Sequence, residues 1–143
     1  MLSLDFNKRV RCPWSLLEIQ KVFKVIHKNT KINGEVEVNI IGDEEQKKLN
    51  FHYRGLNKTT DVLSFAWKED KVIKTDYLGQ IYISYPQIVR QAKGLGISAK
   101  EEFVRMLAHG FLPIIGHDHI EKKEAEVMFG IQEKIVEQYF SQK

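Results

Sequence analysis

Segments with the hydrophobic period of a β-strand alternate along this chain with segments that have the period of an α-helix. The order of these segments limits the folds that the chain can adopt. Apolar and polar residues alternate at residues 2–6 and again at residues 36–40, which is the spacing of half-buried strands. Between them, residues 14–27 carry apolar side chains at the spacing of an amphipathic helix. Further strands are expected at residues 62–67 and 80–84. The alternation predicts a mixed α and β fold.

Helix starts are predicted where a capping residue is followed three positions later by Glu or Gln. Three pairs have this spacing, namely Asp43 with Gln46, Ser84 with Gln87 and Ser98 with Glu101. We expect the three helices to end near Gly55, at residues 94–96 and after Phe111.

A last helix is expected over about residues 121–139. Six of its side chains are predicted to face the core: Ala125, Met128, Phe129, Ile131, Ile135 and Val136. The polar residues 68–77 are interpreted as a hairpin arm or a loop. We therefore predict an α+β fold in which residues 1–143 form a single domain, with about four strands in a mixed sheet and four to five helices.

Length and composition exclude several classes of protein. A chain of 143 residues can bury a core without disulfides. Its single cysteine, Cys12, excludes an intrachain disulfide and a cysteine-based zinc cluster. No apolar run approaches the roughly 20 residues that span a bilayer, and residues 1–5 do not resemble a signal peptide. We expect a cytoplasmic protein, and its net charge of +3 is compatible with a polyanionic partner.

Three of the five histidines fall within residues 109–119, in an otherwise apolar stretch. Neutral imidazole is a common ligand of zinc-like ions. His109 is expected near the end of a helix, and Gly116 would let the chain turn back so that His119 faces His109. Asp118 is interpreted as a residue that orients an imidazole. The alternative is a histidine cluster on a surface turn, which describes His117 best.

This segment, HGFLPIIGHDH, resembles the signature of the YbeY endoribonuclease family, the bacterial rRNA maturation factors. Other segments resemble further motifs of that family, namely LNFHYRG at residues 49–55, TDVLSF at residues 60–65 and LGQIYIS at residues 78–84. Glu102 lies seven positions before His109, as the helix glutamate of the family does. Together these motifs cover the chain from about Val36 to Glu133.

The resemblance implies a zincin-like fold and a metal-dependent, single-strand-specific endoribonuclease that acts in 16S rRNA 3′-end maturation and ribosome quality control. It implies one divalent transition metal ion, with zinc expected, bound by His109 and His119. It also implies catalytic roles for His109 and for Arg54, whose guanidinium suits a phosphate. The implied partners are single-stranded RNA, rRNA and the small ribosomal subunit with its associated proteins.

The chain departs from the family pattern at two positions. Pro113 stands where the family has its middle ligand histidine, and Gln80 stands where a strand aspartate is usual. Proline offers no donor atom, so we expect weaker metal binding, and it disfavours helix continuation at residues 110–112. This leaves a second hypothesis, a non-catalytic member that binds RNA or the ribosome. Gly110 stands where metallopeptidases carry a general base, which argues against peptide hydrolysis.

Overall fold

The fold is known from a computed structural model that describes residues 1–67 and 76–142. It contains the strands β1 (Leu2–Lys8), β2 (Gly34–Ile41), β3 (Val62–Ala66) and β4 (Tyr77–Ser84). The helices are α1 (Leu16–Thr30), α2 (Asp43–Arg54), α3 (Tyr85–Leu95), α4 (Ala99–Phe111) and α5 (Lys122–Ser141), with a 3₁₀ helix at Leu112–Ile115. Of the loop predicted at residues 68–77, residues 68–75 lie outside the described part, and Tyr77 already belongs to β4.

The four strands form one mixed sheet in the order β1-β2-β4-β3. Strands β1, β2 and β4 run parallel, and β3 pairs antiparallel with β4 at one edge. The predicted α+β fold, with four strands in a mixed sheet and five helices, is confirmed. Among the described residues, no helix combines the length and the apolar character that crossing a membrane requires.

One face of the sheet carries the core. Alternation along β2 and β4 places five fully buried aliphatic side chains on this face: Val36, Val38, Ile40, Ile81 and Ile83. Helices α1 and α4 contribute aromatic side chains to the same cluster, and the rings of Phe23 and Phe111 meet edge to face 5.8 Å apart. The opposite face mixes polar side chains with the buried Ile41 and Leu63, and α2 contacts it through Gln46, which donates to the Tyr82 carbonyl at 2.9 Å.

The predicted helix caps had mixed outcomes. Ser98 does cap α4, since its Oγ accepts from the Glu101 amide at 3.1 Å. The other two predicted capping boxes are wrong. The N-cap of α2 is Gly42, and Ser84 makes no side-chain capping bond to α3. The Asp43 carboxylate forms tertiary contacts instead, since it accepts hydrogen bonds from the side chains of Ser84, Thr59 and Arg90.

Helix α4 packs tightly against the sheet at Gly110. A β-carbon at this position would lie 2.8 Å from Cγ2 of Val62 and 3.1 Å from Cγ2 of Ile81. Both neighbours are β-branched and therefore stiff at χ1. The Ser64 hydroxyl donates to the Gly110 carbonyl at 2.6 Å, which fixes this turn of α4 to β3.

Replacing Gly110 with alanine should destabilise the protein by about 1–3 kcal/mol, because the added methyl overpacks the contact between α4 and the sheet. Gly130 is the matched control, since it is also helical and has no atom within 4 Å of an added β-carbon. There alanine should stabilise by about 0.5–1 kcal/mol. Urea unfolding of both variants measures the two signs, and equal stabilisation would contradict the packing argument.

The Asp43 cluster should make stability depend on pH. The hydrogen bond from Arg90 is the main cause that lowers the pKa of Asp43, and bonds from Ser84 and Thr59 lower it further. A carboxylate with a depressed pKa stabilises the fold above its unfolded pKa of about 3.9, and this contribution is lost as the pH falls through the folded value.

Asp43→Asn should therefore cost about 1–2 kcal/mol at pH 7, and the difference from wild type should shrink below about pH 4. The measurement is denaturant unfolding of both proteins across this range. Asp5→Asn serves as a control, because Asp5 is exposed and has no ion pair within residues 1–67 and 76–142. A deficit as large at pH 3 as at pH 7 would show that Asp43 acts through packing and not through its charge.

Candidate functional site

His109 lies in the last turn of α4, one residue before the close contact at Gly110. The regular helix ends at Phe111, and Leu112–Ile115 continue as a 3₁₀ helix with Pro113 in its first turn. Proline has no N–H to bond the carbonyl of His109 and clashes with it in an α-helix. The predicted end of the helix before Pro113 is confirmed, and it leaves the half-buried His109 close to the following turn.

Gly116 reverses the chain after the 3₁₀ helix. It adopts a φ of +102°, a left-handed conformation that favours glycine, and the next amide closes the turn onto the Leu112 carbonyl at 3.0 Å. The exposed His119 comes back beside α4, and its ring centroid lies 5.6 Å from that of His109. The structure thus brings together the two histidines that the sequence analysis selected as ligands.

The partner of the His109 imidazole is Gln132 of α5, which the sequence analysis did not select. Its amide oxygen lies 2.7 Å from Nδ1 of His109. Asp118, to which the sequence analysis assigned this orienting role, instead accepts from the backbone amide of Ile120 at 2.9 Å. No local motif marks Gln132, since it lies 23 positions after His109 and only the packing of α4 on α5 brings them together.

Gln132 is hydrogen-bonded to an ionic cluster that lies between α4 and α5. Its amide nitrogen donates to the Glu133 carboxylate at 3.0 Å, and Arg105 contacts the same carboxylate at 2.9 and 3.0 Å. The hydrogen bond from Arg105 is the main cause that lowers the pKa of Glu133, and the same bond raises the pKa of Arg105. Glu133 is therefore ionised at neutral pH.

Glu102 belongs to this cluster. It is buried and accepts hydrogen bonds from Arg105 at 3.2 Å and from Gln91 at 2.9 Å. The glutamate that the resemblance singled out thus ties α4 to α3 through Gln91. A buried carboxylate with two such partners is satisfied within the fold.

The prediction that Phe129 faces the core is wrong. It is 42% exposed, and its ring lies parallel to the His109 ring with the centroids 6.0 Å apart. Each residue of an α-helix is rotated by about 100° from the previous one. Because Met128 and Gln132 occupy the buried side of α5, Phe129 lies on the flank of that side, next to His109.

Arg54 is the last residue of α2 and is exposed. It forms no hydrogen bond or ion pair with any residue in 1–67 or 76–142, and His109 and His119 are among these residues. Its neighbour Tyr53 packs on Phe65 of β3, with ring centroids 4.6 Å apart, while Ser64 of β3 bonds to Gly110. Consecutive residues of the edge strand thus anchor the ends of both α2 and α4.

The donor atoms at this site fit a metal ion only in part. Two imidazoles converge, and neutral imidazole nitrogen suits borderline divalent ions. Pro113, one helical turn after His109, supplies no donor. Within the part of the chain that the structure describes, no group of three or more His, Cys, Asp or Glu side chains is placed to hold an ion. The described residues therefore offer at most two imidazole donors to a metal ion, those of His109 and His119.

A family model described as endoribonuclease YbeY matches residues 10–140. Curated relatives described as endoribonuclease YbeY include one from Persephonella marina, which is 39% identical over 85% of this chain and 83% of the relative. Another, from Malacoplasma penetrans, is 38% identical over 82% of this chain and 80% of its own length.

A solved structure shares the fold. The solution structure of TM1509 from Thermotoga maritima aligns with a TM-score of 0.66 over 99% of this chain and 90% of that chain, at 24% sequence identity.

Proposed function

The chain belongs to the YbeY endoribonuclease family, and from this premise we propose that it hydrolyses phosphodiester bonds of single-stranded RNA at the site formed by His109 and His119. The observation that carries the proposal is the convergence of these two imidazoles, with ring centroids 5.6 Å apart, at the end of a helix that is anchored to the sheet. Relatives that are at least 38% identical are described as endoribonucleases.

The proposed roles follow from the chemistry of the side chains. His109 and His119 would bind one divalent transition metal ion, with zinc as the expected ion. When bound, such an ion lowers the pKa of a coordinated water and offsets charge on the phosphoryl oxygens. Arg54, which has no hydrogen-bond or ion-pair partner among the described residues, would bind the scissile phosphate through its guanidinium and stabilise the negative charge that develops during cleavage.

The proposed biological substrate is ribosomal RNA. We include in the proposal a role in 16S rRNA 3′-end maturation and ribosome quality control in the cytoplasm, next to the small ribosomal subunit and its proteins. It is supported by the family to which the chain belongs, and the excess of positive charge is compatible with a polyanionic partner.

One observation favours a second candidate. Pro113 leaves the site with two histidine donors, whereas catalytic zinc sites usually have three protein ligands. A chain that binds RNA through Arg54 without cleaving it would need no resident ion. The two candidates differ in metal content and in RNA cleavage, and both properties can be measured.

Pro113→His should raise the affinity for Zn²⁺ at least about tenfold, because loss of a partner that merely supports a ligand already costs about 10–100-fold. Pro113→Ala is the matched control, since it removes the proline ring without adding a donor. The measurements are elemental analysis after dialysis and cleavage of a labelled single-stranded RNA by all three proteins.

These measurements decide between the candidates. Weak metal binding with RNA cleavage by the wild type supports the proposed endoribonuclease. A metal-free, inactive wild type, together with gain of both properties in Pro113→His, supports the non-catalytic candidate. Stoichiometric metal and full cleavage in the wild type, unchanged in Pro113→His, would show that the proline removes no ligand that matters.

Arg54→Ala should weaken binding of single-stranded RNA and lower its salt dependence. Each phosphate contact contributes a slope of about 0.7 in the plot of log affinity against log salt concentration for single strands, so one contact should be lost. Arg11→Ala is the control, because Arg11 is also exposed but follows β1 at the other edge of the sheet. If Arg54→Ala leaves the slope of log affinity against log salt concentration unchanged, Arg54 makes no phosphate contact.

A further inference from the structure

A continuous series of hydrogen bonds runs from the ionic cluster to the site. Arg105 donates two hydrogen bonds to the Glu133 carboxylate, one to each oxygen. Glu133 accepts from the Gln132 amide nitrogen at 3.0 Å, and the Gln132 amide oxygen faces Nδ1 of His109 at 2.7 Å. Gln132 is only 5% exposed, so little water can compete for either end of its amide.

The direction of these bonds is set by what each group can donate or accept. An ionised carboxylate only accepts hydrogen bonds. Glu133 therefore requires the NH₂ end of the Gln132 amide, which leaves the carbonyl end for His109. A carbonyl oxygen also only accepts, so the nitrogen that faces it must carry a proton.

We propose that Gln132 is a positioning residue that holds the proton of the neutral His109 imidazole on Nδ1 and so leaves Nε2 as its free lone pair. Arg105 and Glu133 act through Gln132 by fixing the direction of its amide. The ionisation of Glu133, which the adjacent guanidinium favours, makes this direction the only satisfied one.

This arrangement has a consequence for ligand binding. An imidazole binds a cation, or accepts a proton, only through an unprotonated nitrogen. If the proton moved to Nε2, that nitrogen could do neither, and Nδ1 would remain turned towards α5. The use of Nε2 rests on the proposed function, whereas the position of the proton does not.

The position of the proton can be measured in metal-free protein without RNA. At about pH 8.5, roughly two units above the ordinary pKa of histidine, long-range ¹H–¹⁵N correlation spectra distinguish a protonated ring nitrogen from an unprotonated one. The wild type should show His109 protonated on Nδ1 and unprotonated on Nε2. The opposite pattern would overturn the proposal by itself.

Two variants test the role of the amide oxygen. Gln132→Leu removes the acceptor, so both tautomers of His109 should be populated and Zn²⁺ affinity measured by calorimetry should fall about 10–100-fold. Gln132→Glu keeps an acceptor for Nδ1 but would set a second carboxylate against that of Glu133, so it is combined with Glu133→Gln, which restores a donor at this contact. In this double variant the proton should stay on Nδ1. An unchanged tautomer in Gln132→Leu, or a changed one in the double variant, would contradict the proposal.

Gln46→Leu is the matched control. Gln46 is also buried, but its amide bonds to the Tyr82 carbonyl beneath α2. Its loss should reduce stability without changing the His109 tautomer or Zn²⁺ affinity, and a tautomer shift there would mean that general destabilisation moves the proton. If Gln132→Leu does not fold, the spectra of the wild type and of the double variant decide. A protein that shows the expected tautomer but cleaves no RNA would contradict the proposed function and leave this inference intact.

Discussion

The contact between α4 and the sheet at Gly110 fixes the geometry of the whole site. The helix approaches β3 and β4 so closely that a β-carbon would meet the Val62 side chain at 2.8 Å. The Ser64 hydroxyl adds a bond to the Gly110 carbonyl, at the point where α4 gives way to a 3₁₀ helix. Since His109 immediately precedes this contact, its backbone is held by the core rather than by a surface loop.

The two histidines are held to very different degrees. His109 is half-buried and is fixed on one side by Gln132 and on another by the parallel ring of Phe129. His119 is exposed in the turn that leads to α5. The site therefore combines one imidazole that the fold holds in place with one that is exposed to solvent.

The ionic cluster around Arg105 joins the core to the site. Three carboxylates, those of Glu101, Glu102 and Glu133, contact this one guanidinium, so its charge is compensated although it is largely removed from water. If one partner moved away, the other charged groups of the cluster would be left unsatisfied. This energetic cost keeps the geometry of the cluster rigid. Glu133 holds the side-chain amide of Gln132, which in turn holds the His109 ring. The orientation of His109 therefore depends on residues that do not face the site.

Predictions from the sequence are confirmed where a residue determines the backbone conformation of its near neighbours in the chain. Ser98 caps α4, Gly116 takes the left-handed conformation, and Pro113 ends the regular helix, each through backbone effects within a few residues. Predictions are wrong where the same residue types are used at long range. Asp43 and Ser84 looked like helix caps but bond to each other across the fold. Asp118 looked like the partner of an imidazole but closes its own turn.

The sequence by itself thus determined the order of the elements, the mixed α and β architecture and the histidine segment, because hydrophobic period, proline and glycine act locally. The pairing of His109 with Gln132, the exposure of Phe129 and the anchoring of α2 and α4 on consecutive residues of β3 were decided by the tertiary structure. These contacts join residues that are far apart in the chain, and only the packing of the helices on one sheet brings them within bonding distance.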